Sequence, residues 1–443
     1  MREARPEVVA IGEETVSSEE GLRLAGLAKE IRSDCVVIAG GCHYPWALEH
    51  TFGTGTVDYV VCSEGEETLT ELVGVIKDGG DPGRVKGIIR RKGAGWERTE
   101  ARELIEDLDE LPMPAYDLLE MERYGRRSVN HPRLAAVEHG RGCVDSCRFC
   151  ILWKQMGRVR KENGRAQVTP CYRTKSAKRS AEEVEWLVKR FGRKTMTWVD
   201  GTWNADPEWS EEFCERVTRA GLKVQMTAWM RADAVVRDES RGVLAKQVRA
   251  GLVQAMIGVE RTSSEEVERL GKHGSTKETT REAFRALRRY PSVYTIGTVI
   301  YGVTEETRAR LAETLRETYD YEMDYTMLVP FTPNPGTDYW EEPGVQERLR
   351  RKDWRLFNFH TPVMDSEGMT VEELERFYLQ VGMEMSWRRW AKTVSRMFGS
   401  PARRRTVHRA LMGHACEVFG RAMAGGRNGG SGLYAVKPGW YED

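Results

Sequence analysis

Residues 140–150 read Gly-Arg-Gly-Cys-Val-Asp-Ser-Cys-Arg-Phe-Cys and contain three cysteines in a C-x3-C-x2-C spacing. These are Cys143, Cys147 and Cys150, and no fourth cysteine lies close to them in the sequence. An iron–sulfur cube takes four thiolates, one for each iron. Three thiolates therefore leave one iron with an open position, at which a substrate or cofactor can bind.

A structural zinc site is the alternative that these residues leave open. His139 lies four residues before Cys143 and would complete a Cys3His ligand set. Zinc sites of this kind usually place their ligands in two pairs separated by a longer span. Here all three cysteines fall within eight residues, and Cys171 lies farther along the chain. The spacing therefore favours an iron–sulfur cluster.

The cysteine run resembles the cluster motif of the radical S-adenosylmethionine (SAM) enzymes, in which an aromatic residue precedes the last cysteine. Phe149 stands at that position. The resemblance implies a [4Fe–4S] cluster held by Cys143, Cys147 and Cys150, with the amino and carboxylate groups of SAM on the fourth iron. It also implies that an electron cleaves SAM to methionine and a 5′-deoxyadenosyl radical, and that Phe149 packs close to the cluster and the adenosine.

The composition predicts a globular protein of the cytoplasm. The chain has 443 residues, of which 40% are hydrophobic and 31% are charged. No apolar run approaches the roughly 18–20 residues of a membrane span, and the N-terminus lacks the apolar core of a signal peptide. Nine cysteines without regular pairing favour a reducing compartment over a disulfide framework. An exposed iron–sulfur cluster further predicts an anaerobic setting.

The net charge is zero, but it is unevenly distributed. Residues 1–130 contain 16 Lys and Arg against 26 Asp and Glu, so the rest of the chain carries the compensating positive charge. Much of that charge follows the cysteines in a basic segment made of Lys154, Arg158, Arg160, Lys161, Arg165, Arg173, Lys175, Lys178 and Arg179. This segment is either a solvated surface loop or a flap that attracts an anionic substrate or an acidic protein. No nucleic-acid-binding motif accompanies it.

The first 103 residues alternate strand and helix patterns. They predict strands at 7–11, 36–39 and 58–61, helices over 19–32 and up to 77, and a hairpin over 86–100. This pattern is typical of a parallel, doubly wound sheet, whose ligands bind at the carboxyl ends of the strands. Gly40 and Gly41 end the second strand and are therefore candidate cofactor-binding residues. An acidic linker with prolines follows over 104–133.

Residues 134–340 predict a partial barrel of six β/α repeats. The predicted strands are 134–137, 195–199, 223–229, 252–258, 293–301 and 324–329. The predicted helices between them are 180–190, 207–219, 239–249, 277–288 and 304–318. A complete eight-fold barrel needs about 250 residues, and only about 200 are present. Catalytic groups of such barrels lie at the carboxyl ends of strands, and the cysteine run follows the first strand.

Candidate ligands of SAM lie at the ends of the predicted barrel strands. The carboxylate of SAM needs a cation, and its ribose needs hydrogen-bond acceptors. Asp200 follows the second strand, Arg231 the third, and Gly258 with Glu260 the fourth, in a turn that resembles the glycine–acid–hydroxyl turn of the superfamily. Each residue alone could be a helix cap, but all of them lie at the carboxyl ends of the barrel strands, which favours a cofactor site.

Further segments resemble the cobalamin-binding radical SAM enzymes and, within that branch, the family of the anaerobic magnesium-protoporphyrin monomethyl ester oxidative cyclase. The segments are 6–12, 40–43, 57–68, 330–333 and 361–369. The resemblance implies that the first segment binds cobalamin, although it lacks the strand and helix that begin such domains. The Asp-x-His-x-x-Gly motif of many cobalamin proteins is also missing, and His43 faces either the corrin or solvent.

The predicted fold is therefore α/β, with four parts. They are an incomplete Rossmann-like cobalamin-binding domain (1–103), a linker (104–133), a partial (β/α)6 TIM-like radical SAM barrel (134–340) and a helical C-terminal region (341–443). The last region has helical patterns at 370–395 and 402–423 and is rich in Trp, Met and Arg. Its aromatic residues form either a core or a cap over a bulky apolar substrate.

The resemblance implies an enzyme that cleaves SAM reductively and abstracts hydrogen from a C–H bond, assisted by cobalamin. In the cyclase version, it carries out an oxygen-independent oxidation and ring closure on a tetrapyrrole ester. An alternative is a cobalamin-dependent C-methyltransferase that acts on a small molecule or a peptide side chain. A third possibility is a non-catalytic iron–sulfur or zinc protein. The enzyme versions require an electron donor such as a ferredoxin or flavodoxin.

Overall fold

The computed structural model of the protein describes residues 1, 3–126, 128, 131–162, 165–378 and 380. Residues 371–378 are helical, at the start of the first helix predicted for the C-terminal region. The rest of that helix and the helix predicted at 402–423 lie outside the described residues. No helix in the described part of the chain is long and apolar enough to cross a membrane.

The first large sheet has five strands in the order β1-β2-β3-β4-β5. Strands β1 to β5 are Val8–Gly12, Val36–Gly40, Tyr59–Val61, Ile88–Lys92 and Gly95–Arg98. Helices α1 to α3 are Ser18–Ile31, Leu48–Gly53 and Glu66–Lys77. Strands β1 to β3 are parallel, and the hairpin of β4 and β5 extends the sheet in antiparallel orientation. The predicted strands, helices and hairpin of this segment are confirmed.

Helices cover both faces of this sheet. Val37 and Ala39 of β2 point to a core that they share with Leu22 of α1. Ile38, between them, points to the opposite core, which contains Leu72 of α3. The alternation follows from the two-residue period of a strand. With both faces covered, the carboxyl edge of the parallel strands is where a sheet of this type binds its ligands.

The remaining elements begin with the cysteine region and continue through the barrel. Strands β6 to β15 are Leu134–Val137, Gly140–Gly142, Arg158–Glu162, Arg165–Thr169, Tyr172–Thr174, Thr195–Trp198, Gln225–Met230, Leu252–Glu260, Tyr294–Tyr301 and Tyr325–Pro330. Helices α4 to α12 are Leu152–Gln155, Ala177–Phe191, Pro207–Arg219, Ala232–Ser240, Val243–Ala250, Ser264–Arg269, Lys277–Arg288, Arg308–Tyr319 and Pro343–Arg348.

Six of these strands form the second large sheet, in the order β15-β14-β13-β12-β11-β6. Every neighbouring pair is parallel, and the strands follow one another in chain order. The partial (β/α)6 barrel is thereby confirmed. One predicted helix differs, because 239–249 spans the end of α7 and most of α8. Gly242, with φ +73°, separates the two helices.

The ends of the barrel helices are set by local capping. Ser176 caps α5 by accepting a hydrogen bond from Arg179 N, and Gly192 ends that helix with φ +60°. Asp206 caps α6, and Pro207 occupies its first turn. Such caps satisfy the free N–H groups of a first helical turn. They determine where each strand-to-helix loop ends, and those loops carry the candidate site.

The segment between β6 and α5 contains four short strands that the sequence patterns do not predict. Strand β7 pairs with β10, and β8 pairs with β9, both in antiparallel orientation. The basic segment lies here, and much of its charge is neutralised within the chain. Ion pairs link Lys154 to Asp338, Arg158 to Glu106, Arg173 to Glu64, Lys175 to Glu183 and Lys178 to Glu182. Arg173 and Lys175 are buried in their ion pairs and are not part of a solvated loop, whereas Lys178 is 66% exposed. A role of this segment in attracting an anionic partner stays a prediction.

Candidate active site

The three cysteines lie on the loop between β7 and α4, at the carboxyl end of β6. Gly142 begins the loop with φ +82°, and a Cβ there would lie 1.8 Å from Cys171 O, so this position requires glycine. Cys150 N donates to Cys147 O at 3.1 Å, which places the last two cysteines in one turn. Trp153 Nε1 donates to the same carbonyl at 2.9 Å. The cysteine loop is therefore stabilised by its own hydrogen bonds.

The chemistry of the three thiols fits an iron–sulfur cluster. All three cysteines are partly buried and free of disulfides. Burial raises the pKa of Cys150 to about 11 and also raises the pKa of Cys147. Thiolates at this position therefore need cationic partners, which iron supplies. Among the described residues, no three His, Cys, Asp or Glu side chains are placed to hold a single metal ion, whereas in a cluster each thiolate binds its own iron.

His139 is not available to complete a zinc site. Its side chain is 1% exposed, and its ring stacks on Trp209 with a centroid separation of 3.8 Å. His139 Nδ1 lies 2.9 Å from Asp200 Oδ1, and Nε2 lies 3.1 Å from the Tyr172 hydroxyl. Because the ring is buried and both of its nitrogens face other side chains, the geometry favours the cluster over a Cys3His zinc site.

Asp145 braces the cysteine loop from within. Its Oδ2 accepts from Arg231 Nη1 at 2.8 Å and from His273 N at 3.0 Å, and its Oδ1 lies 2.7 Å from His273 Nδ1. Burial by itself would raise the pKa of Asp145, but the hydrogen bonds from His273 and Arg231 hold it below its usual value. These contacts tie the residues between Cys143 and Cys147 to the loops that follow β12 and α9.

Glu260 and Lys272 form an ion pair at the carboxyl end of β13. The two side chains are each 10% exposed, and Lys272 Nζ lies 3.1 Å from Glu260 Oε1. Lys272 Nζ also donates to Gly258 O at 2.5 Å, and a Cβ on Gly258 would lie 2.2 Å from Glu260 Oε1. Thr298 Oγ1 donates to the other Glu260 oxygen at 3.4 Å. Gly258 therefore makes room for the pair.

The backbone at Glu260 is strained. Its φ is +58°, where β13 shifts register against β14. Such a conformation costs a non-glycine residue about 1–3 kcal/mol and is characteristic of functional sites. Both members of the pair act electrostatically on Cys147. The pKa of this thiol is raised mainly by burial; the charge of Glu260 adds to the increase, and the charge of Lys272 opposes it. On either side of Lys272, Leu270 O accepts from Arg148 N at 2.9 Å and His273 N donates to Asp145 at 3.0 Å, so the ion pair lies beside the cysteine loop.

Asp200 and Arg231, which were expected to bind SAM, form hydrogen bonds and ion pairs with other parts of the chain. Asp200 Oδ1 accepts from the backbone N–H groups of His139 and Gly140 at 2.9 and 2.5 Å. Arg231 pairs with Asp233 at 2.9 Å in addition to Asp145. Both residues hold the entrance to the cysteine loop in place. Their direct binding to SAM stays a prediction.

Phe149 lies partly buried against an apolar cluster that contains Leu270 and Phe331. Its predicted contact with the cluster and adenosine stays a prediction. Gly41 has φ +88°, and a Cβ there would lie 2.5 Å from Glu13 O, whereas a Cβ on Gly40 would have only ordinary contacts. The close approach at Gly41 is therefore to the chain's own backbone.

His43 is fully buried and does not face solvent. Its Nδ1 lies 3.2 Å from Thr15 Oγ1, and its Nε2 lies 2.9 Å from His50 Nδ1. The ring of Trp354 packs edge-on against it at 4.9 Å. Burial, reinforced by His50, lowers the pKa of His43 to about 3, so the imidazole is neutral.

A buried carboxylate joins the first sheet to the cysteine loop. Glu64, which follows β3, accepts from Arg141 Nη1 at 2.8 Å and from Arg173 Nη1 at 3.0 Å. Ser63 Oγ donates to Gln155 O at 2.8 Å. Because Arg141 lies two residues before Cys143, the carboxyl edge of the first sheet and that of the barrel meet at the cysteine loop.

Sequence reasoning missed several residues of this site. Asp145 carries a signal, because it stands between two of the cysteines. Lys272 carries none, since it belongs to no motif and reaches the site through the tertiary fold. Glu64 lies in segment 57–68, which resembles the cobalamin-binding branch. Its partners Arg141 and Arg173 lie 77 and 109 residues away, so its ion pairs could not be read from the sequence.

A family model described as the radical SAM superfamily matches residues 137–315. Residues 137–315 form a radical SAM domain. The match confirms the resemblance that the cysteine run carries. A radical SAM domain implies a [4Fe–4S] cluster and SAM as its cofactors, in agreement with the chemistry of the cysteine loop.

Relatives of the radical SAM domain extend the similarity to most of the chain. An uncharacterised methyltransferase of Pyrococcus horikoshii is 27% identical over 84% of this chain and 76% of its own. The anaerobic magnesium-protoporphyrin IX monomethyl ester cyclase of Rubrivivax gelatinosus is 28% identical over 84% of this chain and 64% of its own. The resemblance to that cyclase family is thereby confirmed, and the chain spans just under two thirds of the cyclase.

A solved structure shows the same fold. It is the cobalamin-dependent SAM radical enzyme OxsB with aqua-cobalamin and SAM bound, at a TM-score of 0.58 and 19% identity. The alignment covers 87% of this chain and 48% of OxsB. The likeness therefore spans the first sheet as well as the barrel, and it confirms the α/β radical SAM fold.

Proposed function

We propose that this protein is a radical SAM enzyme that abstracts hydrogen from a C–H bond of its substrate with the assistance of cobalamin. The observation that carries the proposal is the strained, ion-paired Glu260 beside the three-cysteine loop at the carboxyl edge of the barrel. A [4Fe–4S] cluster held there by Cys143, Cys147 and Cys150 would supply the electron for the reductive cleavage of SAM.

The chain's own residues recognise the polar ends of SAM. Lys272 offers an ammonium to the SAM carboxylate, and Glu260 offers acceptor oxygens to the SAM amino group or ribose hydroxyls. Thr298 orients Glu260 by its hydrogen bond. Because Glu260 and Lys272 are each 10% exposed, charged contacts made there are stronger than contacts made in open water.

Cobalamin is proposed to bind at the carboxyl edge of β1 to β3. Two observations support this position: that edge meets the cysteine loop through Glu64 and Arg141, and OxsB, which shares the fold over both sheets, holds aqua-cobalamin. His43 does not offer a free nitrogen to cobalt, because Thr15 and His50 occupy both of its ring nitrogens.

The proposed substrate is a tetrapyrrole, on which hydrogen abstraction leads to oxidation and ring closure. The support is the similarity to the cyclase of Rubrivivax gelatinosus over 84% of this chain. Trp340 and Trp354 pack against each other and are only partly buried over the core residue Phe357, so their rings suit a flat apolar ligand. A ferredoxin or flavodoxin is the proposed electron donor.

Methyl transfer to carbon is the second candidate. It is favoured by the relative in Pyrococcus horikoshii, which is named a methyltransferase and of which 76% is matched. The two reactions differ in their products from SAM. A methyltransferase transfers a labelled methyl group from SAM to its substrate, whereas a cyclase leaves the label in methionine.

The test is anaerobic reconstitution with iron and sulfide, followed by SAM and dithionite. We expect 5′-deoxyadenosine from the wild type, none above background from Cys147→Ala, and wild-type yield from Cys171→Ala as the matched cysteine control. Equal yields from the wild type and Cys147→Ala would refute the radical chemistry and leave a non-catalytic metal protein.

A separate experiment tests the cobalamin proposal. The protein is incubated with hydroxocobalamin, desalted and examined by visible spectroscopy. We expect the corrin absorbance to remain with the protein. A protein that retains no corrin would exclude cobalamin while leaving SAM cleavage untouched.

A further inference from the structure

The hydroxyl of Thr202 lies against the sulfur of the first cluster cysteine. Thr202 Oγ1 is 3.8 Å from Cys143 Sγ, within the range of hydrogen bonds to sulfur. Thr202 is 2% exposed. Among the described residues, the Thr202 hydroxyl forms its hydrogen bond with Cys143 Sγ. This hydroxyl can therefore act on the cysteine sulfur.

The fold holds Thr202 in this place from several sides. A Cβ on Gly201 would lie 2.3 Å from Leu152 Cδ2, so glycine permits the loop after β11 to approach the cysteine loop. Thr202 O accepts from the Tyr172 hydroxyl at 3.3 Å, and Trp203 N donates to Trp229 O at 2.8 Å. The backbone on both sides of the Thr202 side chain is thus anchored.

The loop is also tied to the residues that precede the cysteines. Asp200 accepts the backbone N–H groups of His139 and Gly140, and the Tyr172 hydroxyl contacts His139 Nε2 at 3.1 Å. These hydrogen bonds link the end of β11 to the entrance of the cysteine loop and so hold Thr202 beside Cys143.

We propose that Thr202 is a positioning residue that donates a hydrogen bond to the Cys143 thiolate and raises the reduction potential of the cluster. The inference rests on the proposed function, since it requires a cluster on the three cysteines. Reduction adds one electron from the donor, breaks no bond and moves no proton. The added negative charge spreads onto the cysteine sulfurs, so an O–H donor aimed at one of them stabilises the reduced state.

The experiment is a potentiometric titration of the reconstituted protein followed by electron paramagnetic resonance. Thr202→Val removes the hydroxyl at nearly constant volume, Thr202→Ser keeps it, and Thr202→Ala is a second variant without it. Thr195→Val is the matched control, because Thr195 is a buried threonine of β11, the strand before the Thr202 loop, and its hydroxyl donates to Pro132 O instead.

For Thr202→Val and Thr202→Ala we expect the reduction equilibrium to shift about tenfold toward the oxidised cluster, a midpoint about 59 mV lower for one electron. Thr202→Ser and Thr195→Val should keep the wild-type midpoint. Equal midpoints in all variants would overturn the inference while the cluster itself stands. Loss of the cluster from both hydroxyl-free variants, with retention in Thr202→Ser, would overturn it in favour of a purely structural role. A wild type that assembles no cluster would refute the proposed function, and the inference would fall with it.

Discussion

The carboxyl edges of the two large sheets meet at the cysteine loop, but they are built differently. The barrel edge holds a strained Glu260 paired with Lys272 beside the cysteines. The edge of the first sheet holds His43 fully buried, bonded to Thr15 and His50 and kept neutral. The barrel edge keeps an opposite-charge pair in a sparsely exposed site, whereas the histidine of the other edge is uncharged.

This difference indicates what each edge can bind. The largely buried Glu260 and Lys272 suit a zwitterionic ligand such as SAM, because each side chain can exchange its present ionic partner for a charged group of the ligand. A neutral, buried imidazole that packs edge-on against Trp354 adds no charge to the edge of the first sheet, which suits a large, largely apolar ligand. Glu64 connects the two edges through Arg141, so the contrast depends on that junction.

The largest effect is expected from breaking the junction. In Glu64→Gln, Arg141 and Arg173 lose the buried carboxylate, and loss of one partner of a buried pair costs about 3–5 kcal/mol. We expect a decrease of that size in the free energy of unfolding, measured with urea. Glu66→Gln is the control, since Glu66 pairs with the same Arg141 but its side chain is 39% exposed. Equal losses in the two variants would show that the junction is not the buried link between the edges.

The barrel edge is tested by Lys272→Met. Truncation of a buried charged partner costs about 2 kcal/mol or more, so we expect SAM affinity to fall about 30-fold while the cluster still assembles. Affinity is measured by equilibrium dialysis under anaerobic conditions. Lys277→Met removes another ion-paired lysine, bound to Glu317 at 2.5 Å, and should bind SAM as the wild type does. If Lys272→Met binds SAM normally, the assignment of this pair to SAM is wrong.

The smallest effect concerns the edge of the first sheet. Because the folded pKa of His43 lies near 3, below the unfolded value of about 6.5, its contribution to stability is complete above pH 6.5. That contribution is lost as the pH falls toward 3, at about 1.4 kcal/mol per pH unit. We expect urea unfolding of the wild type to lose stability faster between pH 6.5 and 5 than that of His43→Asn. Parallel pH profiles would contradict a neutral, buried His43.

The sequence predicted the barrel because its strands are buried on both faces and read as apolar runs, as in Leu252–Glu260. The cysteine spacing predicted the chemistry. The four short strands β7 to β10 were missed because they are rich in charged and glycine residues, and their ion pairs depend on distant partners such as Glu64. Lys272 was missed for a related reason, since only the tertiary fold brings it beside the cysteines.

The proposed chemistry requires an open iron position that accepts SAM. The most direct measurement is the electron paramagnetic resonance spectrum of the reduced, reconstituted protein before and after addition of SAM. We expect a [4Fe–4S] signal whose shape changes with SAM in the wild type, and no such signal in Cys147→Ala. A wild-type signal that stays unchanged at saturating SAM would contradict it.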